Sequence, residues 1–442
     1  MNKKQLAVAI FTFGLSLFNF HSAVAQNGIN SPYSRYGFGM MADRATGFNK
    51  AMGGVAQGFR DGQQINVGNP ASYSAVDTLT ALFDLGLSVF NGNYKMGNMQ
   101  QNAKNASFDY FAFQFRVRRG LGMTLGILPL TNINYNFSSA SSTVSGSETL
   151  TATNTFTGSG GLHQVFIGAG WAPFRNLAIG ANLSYLYGDY THTSANTFSE
   201  STAFSMQRIY SADIATYKID FGMQVMLPLT KKDQLTIGAT YGLGHDIDNR
   251  AIRTTQTTST TGVNASGDTL QNAFHLPHSI DVGVAWQHER KWRVGADFSL
   301  EKWGNTRFPS DQDGAYISAK GHLNDRMKIS LGGEYTPDVL SRKLLQYTSY
   351  RIGGWYSRSY ARTNVPDKPT EFGLTAGFSF PFKNRHVWYN TPRLNVAFQW
   401  VHSSIPYLSS QTGLKDKLTE NYLRLSVGLT FSERWFTKWK VQ

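Results

Sequence analysis

Apolar side chains return at every second position in segment after segment of this chain. Phe111, Phe113, Phe115 and Val117 alternate with Ala112, Gln114 and Arg116. Leu177, Ile179, Ala181, Leu183 and Tyr185 alternate with Ala178, Gly180, Asn182 and Ser184. The same period governs 121–127, 217–225, 235–241, 280–286, 292–300, 327–331, 372–378, 394–400 and 423–431. Successive side chains on a strand point to opposite faces, so each segment has one apolar and one polar face. Three less regular segments, roughly 79–90, 162–171 and 346–359, bring the set to about fourteen strands, an even number near the length a tilted membrane strand needs.

The N-terminus supplies the compartment. Lys3 and Lys4 precede a mostly apolar stretch from Leu6 to Phe20, and Ala23-Val24-Ala25 places small residues where a signal peptidase needs them. Residues 1–25 read as a cleaved signal peptide, with Gln26 the first mature residue. Beyond residue 25 no apolar run approaches the roughly 20 residues of a membrane helix. An exported chain without such a helix can still span a bilayer as a closed barrel, which satisfies every backbone donor and acceptor between strands. The sequence therefore predicts an all-β transmembrane antiparallel barrel in the outer membrane of a Gram-negative cell, in contact with lipid and lipopolysaccharide.

Composition agrees. Charged residues are only 16 % of the 442, against 14 % aromatic and 43 glycines; soluble domains are usually about a quarter charged. The absence of cysteine excludes disulfides, cysteine-ligated zinc, thiol catalysis and a lipidated N-terminal Cys. The net charge of +13 comes with no basic run interleaved with stacked aromatics, so no nucleic-acid groove is expected.

The connections alternate in character. Starting in the periplasm, the odd connections fall near 91–106, 137–160, 190–210, 244–274, 304–325, 360–369 and 403–418, long and rich in Ser, Thr, Asn and Gly. The even ones, near 118–120, 172–176, 228–233, 287–291, 336–345 and 381–391, are mostly short. Long outer loops and short periplasmic turns are the asymmetry of outer-membrane barrels. Trp171, Trp286 and Trp292 fall at expected periplasmic strand ends, and Trp303 and Trp400 at outer ends, where amphipathic rings collect. The barrel is expected over 79–431, with a basic, aromatic periplasmic tail over 432–442.

Residues 26–78 do not alternate. They carry Ser31-Pro32-Tyr33-Ser34-Arg35-Tyr36-Gly37, then Gly53-Gly54-Val55-Ala56, Asp61 and Asn69-Pro70-Ala71. In this stretch the chain resembles the FadL/TodX family of outer-membrane transporters for hydrophobic compounds, which open with a Gly-Gly-Ala-like stretch, an Asp and Asn-Pro-Ala before the first strand. The resemblance implies that 26–78 forms a hatch inside the barrel, built on Gly53, Gly54, Asp61, Asn69, Pro70 and Ala71. It also implies passage of a hydrophobic small molecule, with a lateral opening near the third strand. Gly126 and Pro129 are the residues for that opening, because proline cannot donate a ladder hydrogen bond and forces a bulge or a break. The architecture is also similar to that of PorV-like proteins of Bacteroidetes, which serve as partners in outer-membrane complexes. The Ser31–Gly37 run leans toward a Bacteroidetes branch.

The polar register holds Arg116, Lys218, Asp220, Asp281, Arg293, Asp297, Lys328, Glu334, Arg351 and Arg424. Charges facing lipid are costly, so these are expected to line the lumen, either along a permeation path or paired with one another and the hatch. Gly126, Gly180, Gly222, Gly238, Gly283, Gly295, Gly332, Gly373, Gly377 and Gly428 share that register and leave room for a plug or ligand, or serve sheet curvature. His275 and His278 flank Leu276-Pro277 with no third ligand nearby, so no metal site is expected. No Gly-x-Ser-x-Gly elbow is present, and neither catalysis nor a cofactor is expected. Two functions stay open: passive transport of a hydrophobic small molecule, or a non-conducting barrel subunit of an outer-membrane secretion, assembly or surface-display complex.

Overall fold

The computed structural model describes residues 30–434 except 98, 146–147, 199–203, 261, 313, 342, 383–391 and 409–414. The signal peptide and the last eight residues, 435–442, lie outside the described residues.

Fourteen strands run antiparallel around a closed barrel. The first four are β1 (Thr80–Met96), β2 (Met99–Arg118), β3 in two pieces (Leu121–Pro129 and Thr131–Ser145) and β4 (Glu148–Phe174). Next come β5 (Leu177–Phe198), β6 (Ser205–Pro228), β7 (Asp233–Gly242), β8 (Ser279–His288) and β9 (Trp292–Glu301). The last five are β10 (Arg326–Tyr335), β11 (Ser349–Arg358), β12 (Thr370–Pro381), β13 (Arg393–Leu408) and β14 (Lys415–Arg434). Closure comes from β1 against β14, in register from Thr80↔Arg434 to Met96↔Leu418. Each segment with a two-residue period falls within one of these strands.

The alternation sorts exposure in the reverse of a soluble protein. Leu85, Leu87, Val89, Leu183, Phe221, Val282 and Leu331 are exposed, while Asp84, Gln114, Asn182, Gln224, Asp297 and Glu334 are buried. An apolar outer belt over a polar interior is the arrangement a bilayer selects, since each face meets the medium it suits.

The strands differ from the sequence expectation in length. β4, β5 and β6 have 27, 22 and 24 residues, far beyond the roughly 10 that cross a bilayer. Their outer halves occupy stretches expected as loops, and a hairpin of Ala251–Ser259 and Gly262–Leu270 adds to the outer half of β6. These extensions are rich in Thr and Ser, which suit strands, but with no apolar face they carry no alternation. At the other end, Ser432 to Arg434 belong to β14, where they pair with Leu82 to Thr80, so the strand outruns the expected boundary at Phe431.

Trp171, Trp286, Trp292 and Trp400 are exposed on the outside of the barrel. Trp303 is not at an interface: it is 2 % exposed, and its indole N–H donates to Glu301 Oε2 at 2.7 Å. The chain turns inward there to pack with other outer loops.

Candidate functional site

Residues 30–78 fold into short turns, apart from a two-residue strand at Met40–Met41. Asn69 caps a 3-10 helix, Pro70–Ala75, through an Oδ1 that accepts from Ala71 N at 3.1 Å, and Pro70 fills a first-turn position with no N–H to satisfy. Gly53 and Gly54 sit at φ +66° and +79°, beyond a 3-10 turn at Lys50–Met52. Side chains avoid that region, so the paired glycines fit a reversal of the chain. Asp61 Oδ1 accepts from Gln63 N at 2.9 Å.

This segment meets inward side chains from many strands. Asp297 Oδ2 on β9 accepts from both Ala56 N (2.6 Å) and Gln57 N (3.0 Å). Gln224 of β6 donates to Gln57 O and Phe59 O, and Asn69 Nδ2 donates to Met223 O. Gly53 N donates to Thr375 of β12 at 2.9 Å. Tyr110 of β2 accepts from Gly47 N at 2.6 Å and donates to Asp84 at 2.9 Å. Buried backbone groups outside regular structure need partners, and here the barrel wall provides them.

The inward glycines divide accordingly. A Cβ at Gly238 would lie 1.8 Å from Gln57 O, and one at Gly332 would lie 2.1 Å from Met52 O. Cβ atoms at Gly180 and Gly222 would lie 2.5 and 2.7 Å from Pro70, and one at Gly295 would lie 2.7 Å from Phe59. By contrast, Gly126, Gly283 and Gly373 face Phe166, Asp297 and Trp355 of the wall itself.

The inward charges pair. Arg293 bridges Asp61 (2.7 Å) and Glu334, and Arg351 reaches Glu334 (2.6 Å), Asn395 (2.8 Å) and Gln64 (3.0 Å). Asp220 takes Lys218, and Lys328 lies 3.9 Å from Asp43 and over the Trp355 ring. Arg116 lies near the mouth, donating to Thr78 at 2.7 Å. Burial alone would raise the Asp61 carboxyl, but Arg293 and Arg393 hold it at about 2.

Among the described residues the wall is incomplete between β2 and β3. β2 pairs with β3 only from Arg118↔Leu121 to Phe111↔Ile127. Pro129 still pairs with His163 of β4, the ladder breaks at Leu130, and β3 resumes against β4 at Ile133↔Gly160. Among the described residues no rung joins the outer half of β2 to β3. Instead Met40 and Met41 pair with Asn132 and Thr131, and Ala42 N donates to Leu130 O at 2.9 Å. Met40 and Tyr33 pack against Phe90, Tyr94 and Ala103 of β1 and β2. The break thus begins just beyond Gly126, with Pro129 inside it and Tyr33, Met40 and Met41 along it.

The outer end of the lumen is filled with apolar side chains. Phe38 packs within 5.1–6.4 Å, ring to ring, of Tyr190, Phe274, Trp303 and Phe308. Below lies a cavity of about 140 Å³ whose lining includes Asp43, Asp297, Lys328, Glu371 and Arg424. His275 pairs with Asp246, and His278 bonds Tyr241; they do not converge. Sequence reasoning missed Tyr110, Gln224 and Asn395, whose polar atoms on inward positions were the available signal. It also left the Ser31–Gly37 run without a structural role; Ser31 donates to Glu420 at 2.5 Å.

Several solved structures share the architecture. The P. putida toluene transporter TodX is 15 % identical, with a TM-score of 0.60 over 90 % of this chain and 100 % of that one. The monoaromatic hydrocarbon channel CymD is 15 % identical, with a TM-score of 0.54 over 90 % and 99 %. A Pseudomonas aeruginosa FadL homologue is 10 % identical, with a TM-score of 0.58 over 89 % and 99 %. No curated protein matches the sequence. The apolar belt and this fold place the barrel in the outer membrane. The BamG family model matches residues 1–442 from end to end, and the chain belongs to the BamG family.

Proposed function

We propose that the protein is a passive outer-membrane conduit for hydrophobic small molecules, opening through the wall between β2 and β3 rather than along the barrel axis. The observation that carries this is the missing ladder beyond Phe111 and Ile127, at the level where outward residues such as Ile127 still face lipid. The structural neighbours include a toluene transporter and a monoaromatic hydrocarbon channel, in keeping with an apolar cargo. In this reading residues 1–25 are removed on export and 26–78 serve as a hatch. Gly53 and Gly54 turn the hatch back, Asn69-Pro70-Ala71 packs it on the wall, and Asp61 ties it to Arg293. Arg116, Asp220, Lys328, Glu334 and Arg351 hold the lumen by pairing, Gly126 and Pro129 shape the opening, and no catalytic step is involved.

The test is uptake of a radiolabelled aromatic hydrocarbon in a deletion strain. Complementation with the wild type is expected to restore uptake. Met40→Cys with Asn132→Cys, oxidised so that residues 33–42 stay bound to β3, is expected to reduce it severalfold. Equal uptake with the crosslink open and closed would overturn the reading.

A second reading is favoured by the apolar closure around Phe38 and by the charged cavity beneath it. In it the barrel is non-conducting and acts as a subunit of an outer-membrane complex, as PorV-like proteins of Bacteroidetes do. Its long outer strands and hairpin 251–270 would be the partner surface. Co-purification of a stoichiometric protein partner, with no uptake defect on deletion, would establish it over the first.

A further inference from the structure

The cavity behind the wall break is polar, and this constrains what can enter from the side. The same cavity is lined by Ser107 and Asp109 of β2, by Pro129 and Asn132 of β3, and by Met40 and Met41 between them. It therefore begins at the unpaired wall and runs inward to Asp297, Lys328 and Arg424. Its volume of about 140 Å³ holds on the order of ten waters, too little for a long hydrocarbon chain but enough for a headgroup.

Both signs of charge line it, and its shielded atoms without a hydrogen-bond partner among the described residues include Asp297 Oδ1 and Arg424 Nε. Asp297, 8 % exposed, uses Oδ2 for Ala56 N and Gln57 N, while its Oδ1 has no hydrogen-bond partner among the described residues. Arg424 lies over the Phe90 and Tyr422 rings, and its Nε is also without one. A buried polar atom left unpaired is destabilising, so such atoms mark where a polar guest gains most. Outside the break the surface is apolar: Phe108, Leu125 and Ile127 are exposed to the membrane.

We propose that the cavity receives the dipolar head of a membrane amphiphile, an ammonium-bearing phosphate ester, while its acyl chain stays in the bilayer at the β2–β3 break. The inference rests on the lateral passage proposed above and adds an amphiphile to the apolar cargo of that reading. The acidic side chains take the ammonium, and Lys328 and Arg424 take the phosphate.

The experiment is native mass spectrometry of the full mature protein, stripped of lipid in a non-ionic maltoside detergent. It is titrated with lysophosphatidylethanolamine, with dodecanol of comparable chain but no charged head, and with monophosphoryl lipid A. One lysophosphatidylethanolamine is expected to bind, at least tenfold more tightly than dodecanol. Ser107→Trp, which fills the wall-side end of the cavity, is expected to weaken it tenfold. Arg424→Gln should do the same, and Ser107→Trp decides the matter if that variant fails to assemble. Equal binding of dodecanol would overturn the dipolar head while leaving the lateral passage standing. Binding of lipid A alone would replace the dipolar head with an anionic one and likewise overturn the proposal. Insensitivity of hydrocarbon uptake to the Met40–Asn132 crosslink would remove the passage itself, whatever binds.

Discussion

Arg293 Nη1 donates to Asp61 Oδ2 at 2.7 Å while the same guanidinium holds Glu334, so one side chain joins the N-terminal segment to two neighbouring barrel strands. The pair lies close to the turn between β8 and β9, on the side where strands are joined by short connections.

Removing the carboxylate tests this tie. Asp61→Asn leaves Arg293 with Glu334, so the expected loss is on the order of 1–3 kcal/mol, that of a charged hydrogen bond in a shielded site. Trypsin cleavage at Arg60 in purified protein is expected to accelerate at least tenfold, with the barrel strands intact by circular dichroism. Unchanged cleavage would show that the tie contributes nothing to holding the segment.

The same pair has a pH dependence of fixed sign. Asp61 titrates at about 2 in the folded chain, below its ordinary 3.8, because Arg293 and Arg393 overcome its burial. A depressed carboxyl stabilises fully above the unfolded value and loses that contribution as pH falls through the folded one. Cleavage by pepsin within residues 45–75 is therefore expected to rise between about pH 4 and pH 2, and Asp61→Asn should flatten the rise.

Steric replacement probes the glycine contacts. Gly238→Val and Gly332→Val would drive side chains into Gln57 O and Met52 O, backbone atoms that cannot swing away. Both variants are expected to expose residues 45–75 to trypsin. Gly267→Val, whose Cβ would come no closer than 3.9 Å to Arg253 O, serves as the control and should leave cleavage unchanged.

The barrel was legible because its physics is one-dimensional: a lipid-facing strand must be apolar at every second residue, as Leu177 to Tyr185 shows. The outer halves of β4 to β6 were not legible, since Thr and Ser at 151–157 and 191–197 carry no such period. Nor was the bearing of Tyr33, Phe38 and Met40 on the wall break and the outer closure. Their partners lie on other strands and loops, such as Ala103 and Phe274, and local sequence does not encode those distances. Inward charges could be assigned a side from their register, but the Arg293–Asp61 pairing spans 232 residues and becomes visible only in three dimensions.

Orientation follows from the connections. The turn at Lys231-Lys232 is exposed and short, with Lys232 paired to Glu289 of the neighbouring turn at 2.8 Å. An epitope inserted near residue 231 is expected to be inaccessible on intact cells, while epitopes near 150 and 260 are labelled. Equal labelling at all three sites would defeat the topology.

The outer closure separates the two functional readings, and Phe38 is the residue to change. It is 1 % exposed and central to an aromatic group drawn from the N-terminal segment, β5 and two outer loops. Truncating a buried Phe typically costs about 3–5 kcal/mol, which here falls on packing between segments rather than on the strand ladder. Phe38→Ala is therefore expected to loosen the outer seal without unfolding the barrel. In a planar bilayer the wild type should be silent to small ions and the variant should show brief openings. If passage is lateral, hydrocarbon uptake by Phe38→Ala stays within about twofold of wild type, because the axial seal is not on the route. A large gain in uptake would mean that the axis, not the wall, is the path.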